Sequence, residues 1–320
     1  MKRNTVAKLL VFFISWRLLL FTFLGIYVYL SLQKNFLGGG LGNYIKAPYF
    51  WAWGNFDGEH YISIAQRGYG QGEQAFFPLY SLLIKGLSVL FGKGIEIYVL
   101  MGLLISNFSF FIALIGLYKL IILDYPEKIA RASILLLLLF PASFYFGSVY
   151  TESLFLALTV WSFYFVRNKK WFLAAILASL STATRFIGIL LFPVIFIEML
   201  GWERIKDAFM RQTLKVAPLK LITLLIVPVG LAIYMYYLKV STGDPLAFIH
   251  TLSGFGEQRA QTPIVLPRVF YRYFFKILPN LTYSYLPVVY TTFLEVATAI
   301  LFTVLSVSAF FKTRLSYAIF

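Results

Sequence analysis

Long apolar runs separated by short polar loops make up most of this chain. The longer runs reach the roughly 20 residues that a membrane-spanning helix needs, and backbone inside lipid must satisfy its own hydrogen bonds, which favours helices. We therefore expect an all-α integral membrane protein, a single transmembrane domain over residues 1–320 with about eight spans. The pattern predicts spans near residues 9–31, 96–123, 131–147, 152–167, 171–183, 187–200, 217–239 and 286–311.

The distribution of basic residues predicts which loops face the cytoplasm, since short cytoplasmic loops carry an excess of Lys and Arg. This rule places the N-terminus inside, and it places two longer loops, about 32–95 and 240–285, on the outer face. The segments assigned to the cytoplasm are the N-terminal Met1–Arg3, Asp124–Arg131, Arg167–Lys170, Arg204–Lys220 and Lys312–Arg314.

The apolar segment 76–91 is ambiguous because it resembles a span but carries a Pro near its start and a Lys in its middle. If it crossed the membrane, the basic loop 167–170 would lie outside, against the charge rule. An interfacial helix within the first outer loop accounts for the same pattern without that conflict. We therefore expect 76–91 to lie along the outer surface or to dip into the membrane without crossing it.

Composition agrees with the membrane interpretation. Sixty per cent of the residues are hydrophobic, 13% are charged and the mean hydropathy is +0.80. The net charge of +15 lies in the loops between spans, so anionic lipid is a better partner than nucleic acid. The chain has no Cys and two His, which argues against a Cys-ligated or His-rich metal site, and we expect no cofactor. The chain ends as a new apolar segment begins, and we expect it to be part of a longer protein.

The stretch from Trp53 to Tyr69 concentrates rare polar residues next to the first span. Charged groups near hydrocarbon usually face a cavity or a substrate path. Asp57, followed by Gly58, is either a catalytic carboxylate or a cap of the helix that begins near Glu59. His60 and Arg67 share one face of that helix; Arg67 either binds a phosphate or meets lipid headgroups at the rim. Glu59, His60 and Arg67 are thus candidate substrate-binding residues.

Other polar residues are predicted to join this site from distant segments. Tyr150 and Glu152 open the span 152–167, where Glu152 either serves the helix dipole or faces the same cavity as Asp57. Arg185 lies between two short apolar helices and needs an anionic partner, either Glu152 or a lipid phosphate. Arg259 and Arg268 in the second outer loop are further phosphate-binding candidates.

Four blocks occur in a characteristic order between residues 10 and 200. They are Trp-x-x-x-Asp-Gly-x-His-Tyr-x-x-x-Ala-x-x-Gly-Tyr, Phe-Phe-Pro-Leu-Tyr, Phe-Pro-Ala…Tyr-Thr-Glu-Ser-Leu-Phe and Ala-Thr-Arg. In these blocks the chain resembles the GPI mannosyltransferase 2 (PIG-V-like) family, prokaryotic members included. Ser81 replaces the proline usual after Phe-Phe-Pro-Leu-Tyr, and the last third matches only in its pattern of spans.

The resemblance implies a GT-C glycosyltransferase, a multi-spanning helical enzyme that takes a sugar from a polyprenyl-phosphate donor, here a phosphomannose. It implies inverting transfer on the outer or lumenal face, at the cell membrane in a prokaryote, with Asp57 as the catalytic carboxylate of the first outer loop. By looser analogy, Glu152 and Arg185 fall where related lipid-sugar transferases put cavity residues. The acceptor, a glycan or a lipid, stays open, as does a requirement for a divalent metal.

Two alternatives share the spans and the charged loop. One is a GT-C transferase for another lipid-linked sugar, which differs only in pocket contacts. The other is a transporter or flippase of lipid-linked substrates, for which inverted repeats across two halves are typical. The sequence contains no such repeat, and this favours the transferase.

Overall fold

The computed structural model describes residues 3–30, 41–92, 94–202, 218–252, 265–284 and 286–320. Throughout these residues the regular structure is helical, as expected. The chain divides into two compact units, Met1–Phe248 and Ile249–Phe320, which are described separately. The expectation of a single domain stays a prediction.

The first unit contains most of the helices. Pro, Gly and polar clusters separate them, as expected where apolar helices must end. They are α1 (Arg3–Tyr29), α2 (Leu41–Lys46), α3 (Pro48–Trp51), α4 (Asp57–Arg67), α5 (Pro78–Ser88), α6 (Ile95–Ile121), α7 (Glu127–Leu139), α8 (Glu152–Arg167), α9 (Trp171–Thr182), α10 (Leu191–Leu200), α11 (Pro218–Ile226), α12 (Val229–Thr242) and α13 (Ala247–His250).

Four helical stretches of the described residues are long and apolar enough to cross a membrane. A bent helix pair would make a fifth, so the predicted count of eight is not confirmed. The remaining predicted spans, 152–167, 171–183 and 187–200, do form helices, but these are shorter than about 20 residues. The four long stretches are Asn4–Tyr29, Ile95–Ile121, Ile222–Thr242 and Val288–Lys312.

The predicted span 131–147 is not one straight helix. Glu127–Leu139 and Pro141–Gly147 meet at an angle of 87°. Pro141 has no N–H for the helix ladder, and it disfavours the helical conformation in the residue before it. Phe140 is accordingly extended, with φ −64° and ψ 134°. The break turns the segment Pro141–Gly147 back toward α1 and the loop that precedes α8, where Trp16 Nε1 donates to Ser143 Oγ at 3.1 Å.

The described residues between α1 and α6 fold into short helices, and α5 is the longest apolar one among them. At 11 residues it is about 16 Å long. It is therefore too short on its own to cross a hydrocarbon core of about 30 Å. Tyr80 fixes α5 to α6, because its hydroxyl donates to Gly102 O at 2.9 Å and lies 2.6 Å from Ser106 Oγ.

Two apolar packing regions hold the first unit together. In the first, α1, α6 and α7 meet through buried side chains. In the second, small residues let α8, α9 and α12 approach closely, as is usual between membrane helices. Ser162 Oγ donates to Ala174 O at 2.9 Å, and Gly230 N donates to Ser179 Oγ at 2.9 Å. The members of the first region are Leu9, Trp16, Phe110, Leu114, Tyr118, Ala130, Ile134 and Leu138.

The two ends of α8 carry opposite charges. Glu152 begins the helix, and Arg167 ends it with a bidentate pair to Asp124, Nη2 lying 2.8 Å from Oδ1. The loops 124–131 and 167–170, both predicted to be cytoplasmic, therefore lie at the same end of the bundle. Glu152 lies about 22 Å away along the helix axis, at 1.5 Å per residue.

The second unit contains Leu266–Arg272, which continues as a short π-helix over Tyr273–Ile277, and the long apolar helix Leu286–Lys312. Tyr273 Oη donates to Glu295 Oε2 at 2.7 Å and joins these two segments.

Candidate active site

The backbone before Asp57 adopts a strained turn. Gly58 N donates to Asn55 O at 3.1 Å, and Phe56, between them, has φ 54° and ψ −121°. These angles are close to the first central position of a type II′ turn, where glycine is the usual residue. Strain of this kind persists only where surrounding contacts impose it, and it concentrates at functional sites. Asp57 follows directly as the first residue of α4, and it is exposed.

Gly58 is required for close packing rather than for an unusual backbone angle. A Cβ at this position would lie 3.2 Å from Val149 O and 3.6 Å from Val149 Cβ. Val149 N in turn donates to Trp53 O at 2.8 Å. The start of α4 therefore rests directly on the chain that leads to Tyr150 and Glu152.

Asp57 opens onto a cavity of about 1040 Å³. Three of the predicted site residues line it: Asp57, Tyr150 and Glu152. One wall is a face of α1 that is almost entirely apolar, and the opposite side carries the polar groups. The other lining residues are Leu20, Phe23, Leu24, Tyr27, Ala52, Trp53, Asn55, Phe56, Pro141, Phe144, Tyr145 and Ser148.

Arg185 pairs with Glu152, one of the two partners that the sequence left open. Its Nη1 lies 2.7 Å from Glu152 Oε1 and 3.4 Å from Thr151 Oγ1. Burial works to lower the pKa of Arg185, but the Glu152 carboxylate outweighs it and the pKa is raised. The side chain of Arg185 is still 41% exposed, so it retains donors for a second anion. Glu152 Oε2 is buried and has no hydrogen-bond partner among the described residues.

Tyr150 is held at both ends. Its hydroxyl donates to Asn55 O at 3.1 Å, and its carbonyl accepts from Ser106 Oγ at 3.2 Å. Burial raises the pKa of Tyr150, and the nearby charge on Asp57 raises it further. Burial also raises the pKa of Tyr61, to which the charges of Glu152 and Asp57 contribute. The Asp57 carboxylate therefore raises the pKa of both phenols, and both stay neutral at physiological pH.

His60 and Arg67 lie outside the cavity lining and share a different partner. Arg67 Nη2 donates to Glu73 Oε1 at 3.0 Å, and His60 Nδ1 lies 3.4 Å from the same oxygen. Gly70 N donates to Glu73 Oε2 at 2.7 Å, and His60 also stacks on Phe76. The Glu73 side chain is 6% exposed. This cluster closes the loop between α4 and α5 and gives Arg67 a carboxylate within the protein.

The other predicted site residues are Glu59, Arg259 and Arg268. Glu59 is half-buried on α4 and is not part of the lining. Arg268 lies on Leu266–Arg272 in the second unit, and Arg259 falls outside the described residues. Among the described residues, no group of three His, Cys, Asp or Glu side chains is arranged to hold a metal ion.

Sequence reasoning missed two features of the site. Asn55 lines the cavity, and only its position two residues before Asp57 could have indicated it. The α1 face of Leu20, Phe23, Leu24 and Tyr27 follows a helical period that is recognisable in the sequence, but the same period occurs on any apolar helix.

Arg17 lies below that face, three residues before Leu20. Its guanidinium carbon is 4.1 Å from the centre of the Trp53 ring and 4.8 Å from that of Phe21. Cation–π contacts of this kind stabilise a charge that has left water. Trp53 thus covers Arg17 on one side while it lines the cavity.

The long apolar helices are typical of an integral membrane protein, and the first unit contains a large cavity lined by acidic side chains. The chain matches the family model described as Mannosyltransferase (PIG-V) over residues 8–254. It therefore belongs to the PIG-V mannosyltransferase family, and it is a glycosyltransferase. No curated protein and no solved structure matches it.

Proposed function

We propose that this mannosyltransferase moves mannose from a polyprenyl-phosphate donor to an acceptor hydroxyl, with inversion, in the cavity at Asp57. The observation that carries the proposal is the position of Asp57. It is an exposed carboxylate at the start of α4, on a cavity that combines an apolar α1 wall with a polar opposite side. A lipid-linked sugar needs both kinds of surface, one for the isoprenoid chain and one for the sugar.

Inversion requires a single displacement. The acceptor oxygen forms a bond to the anomeric carbon, the bond from that carbon to the phosphate oxygen breaks, and its electron pair leaves with the polyprenyl phosphate. The acceptor proton passes to Asp57, which acts as general base. Each atom is accounted for without a covalent sugar–enzyme intermediate, and we assign no metal or cofactor to this step.

The phosphate of the donor requires a cation while its charge develops. Arg185 is the best placed of the predicted arginines, because it lies beside Glu152 and is only partly covered. We assign Arg67 and His60 instead to the support of Glu73, since both contact that buried carboxylate. Arg259 and Arg268 stay predictions for the donor phosphate.

The orientation follows from charge. The Asp124–Arg167 end of the bundle carries the basic loops, and the positive-inside rule assigns it to the cytoplasm. The opposite end of α8 carries Glu152 and the cavity. We therefore infer transfer on the outer face of the membrane, which is the cell membrane if the protein is prokaryotic, onto a glycan or lipid acceptor.

The test is sugar transfer by the purified protein in detergent. Radiolabelled polyprenyl-phosphate mannose is the donor, and a total membrane-lipid extract supplies acceptors. Asp57→Asn should lose transfer by about 10²-fold or more, the usual contribution of a general base, while it keeps its thermal stability. Glu127→Gln is the matched control, because it removes an exposed carboxylate at the other end of the bundle. Wild-type turnover by Asp57→Asn would contradict the assignment of Asp57 as general base. Transfer only from another polyprenyl-phosphate sugar would reassign the donor.

A further inference from the structure

Two residues that line the polar side of the cavity each have a buried side-chain oxygen that nothing in the described part of the protein satisfies. Asn55 is 9% exposed, and its side-chain oxygen Oδ1 has no partner there. Glu152 Oε2 is in the same state. Both residues line the cavity that contains Asp57. Buried acceptors are normally paired, and leaving one unpaired is costly, so two in one cavity indicate a ligand that donates hydrogen bonds.

We propose that Asn55, together with Glu152 Oε2, binds hydroxyl groups of a sugar in this cavity and thereby positions it against Asp57. The inference rests on the proposed function and deepens it, because it adds Asn55 as a positioning residue. The hydroxyls belong either to the transferred mannose or to a sugar of the acceptor. Both sources present the same chemistry, a ring of O–H donors on a neutral molecule.

The charge balance favours a neutral hydroxyl donor over an ion. An anionic phosphate cannot satisfy these two oxygens, because a carboxylate oxygen and an amide oxygen only accept hydrogen bonds, and so does an ionised phosphate. A cation is disfavoured as well, since the Arg185 guanidinium already lies 2.7 Å from the other oxygen of Glu152. A hydroxyl can donate to each free oxygen without bringing net charge into the cavity.

The backbone holds Asn55 in place for this role. Its carbonyl oxygen accepts from both Tyr150 Oη and Gly58 N, each at 3.1 Å. These two bonds fix the residue between the loop before α4 and the loop before α8. A backbone fixed in this way holds the side chain's point of attachment in place before a ligand binds, which is the advantage of a pre-organised site.

The first experiment measures binding rather than transfer. Methyl α-mannoside is titrated into the purified protein in detergent, and binding is followed by saturation-transfer NMR. Asn55→Leu should weaken binding by about tenfold, the equivalent of one lost hydrogen bond of about 1.4 kcal/mol. Asn55→Asp, which keeps an acceptor oxygen, should stay much closer to wild type. Asn168→Leu is the control, an asparagine just past the far end of α8 whose side chain donates to Tyr164 O.

The second experiment needs no variant that could fold poorly. Wild-type protein is titrated with methyl α-mannosides that each lack one hydroxyl. At least one of these deoxy sugars should bind wild type at least about fivefold more weakly than methyl α-mannoside does. Asn55→Leu should remove that difference, because the lost donor and the lost acceptor belong to the same hydrogen bond. Wild-type affinity in Asn55→Leu would overturn the proposal. So would an absence of methyl mannoside binding to folded wild type, or equal binding of all the deoxy sugars by wild type.

Transfer kinetics separate this inference from the proposed function and identify the source of the hydroxyls. A raised donor KM in Asn55→Leu assigns the site to the transferred mannose, whereas a raised acceptor KM assigns it to the acceptor sugar. If neither KM changes, the positioning role is wrong while the transferase assignment stands. Conversely, full activity of Asp57→Asn would contradict the assignment of Asp57 as general base, whereas the proposed sugar binding at Asn55 would stand.

Discussion

Arg185 and Glu152 connect the end of α9 to the start of α8 through one short contact, 2.7 Å from Nη1 to Oε1. The two segments are 33 residues apart in sequence. The contact fixes the carboxylate whose second oxygen, Oε2, is buried without a partner among the described residues, in a residue that lines the cavity. Arg185 therefore determines which oxygen of Glu152 is left unpaired.

This pair should show coupling in thermal stability. Arg185→Gln and Glu152→Gln should each lower the Tm in detergent, and the double variant should lose less than the sum. We expect a coupling of about 1 kcal/mol, or roughly 2–4 °C in a chain of this size, because both side chains keep some exposure. The exposed pair Glu127–Arg131 is the control, and it should couple by less than about 0.5 kcal/mol. Additive losses at Arg185 and Glu152 would contradict the pairing.

The Glu73 cluster gives a prediction that distinguishes two roles for Arg67. Glu73→Gln removes the charge that faces Arg67 and His60 in a nearly inaccessible site, and it should cost about 1–3 kcal/mol in stability. Arg67→Gln should likewise lower the Tm but leave the KM for the donor unchanged. Glu96→Gln, an exposed carboxylate at the start of α6, controls for charge alone. A raised donor KM in Arg67→Gln with an unchanged Tm would instead support the binding of the donor phosphate by Arg67.

The buried tyrosines predict how stability depends on alkaline pH. Burial raises the pKa of Tyr61, Tyr80 and Tyr150 above the ordinary value of 10.0. A raised pKa in the folded state means that the unfolded chain loses these protons first. The contribution of these neutral tyrosines to the free energy of unfolding is therefore complete below about pH 10, and it is lost as the pH rises above that value.

The measurement is the ultraviolet absorbance of tyrosinate during titration, with the Tm followed in parallel. The Tm should fall above about pH 10, and part of the tyrosine absorbance should appear only on unfolding. Tyr80→Phe should reduce that late fraction, and Tyr283→Phe, which removes an exposed tyrosine, should leave it unchanged. Ionisation of every tyrosine before unfolding would show that Tyr61, Tyr80 and Tyr150 are not buried.

The sequence predicted the parts of this protein that depend on local pattern. Apolar runs located the long helices, and clusters of rare polar residues singled out Asp57, Tyr150, Glu152 and Arg185 in three separate segments. What the pattern could not give is pairing across space. Glu73 lies beyond a glycine-rich turn from Arg67, and helical spacing does not extend through such a turn, so its contact with Arg67 was not foreseen.

The predicted number of spans is not confirmed, for a related reason. Apolar composition marks a helix but not where its axis bends, and Pro141 turned one predicted span into two segments at 87°. Asn55 escaped notice because a single asparagine in a loop has many ordinary uses. Its importance emerges only from the missing partner of Oδ1, which requires coordinates.

Phe56 offers a test of whether backbone strain helps to position Asp57. Its φ of 54° should cost about 1–2 kcal/mol for a residue with a side chain, and Phe56→Gly removes that cost. Glycine also increases the freedom of the unfolded chain by about 0.5–1 kcal/mol. The Phe56 side chain is 51% exposed and contributes little burial, so the two effects should nearly cancel and the Tm should change little.

Activity should respond differently from stability at this position. Without the side chain, the turn can adopt other conformations, and the Asp57 carboxylate is no longer held in one direction. We expect a lower kcat for Phe56→Gly, with the donor KM close to wild type, because positioning acts on the chemical step. Phe56→Val should instead lower the Tm, since a β-branched residue tolerates a positive φ poorly. If Phe56→Gly kept the wild-type kcat, the strained turn would be a feature of folding alone, and the direction of Asp57 would depend on its contacts within the cavity.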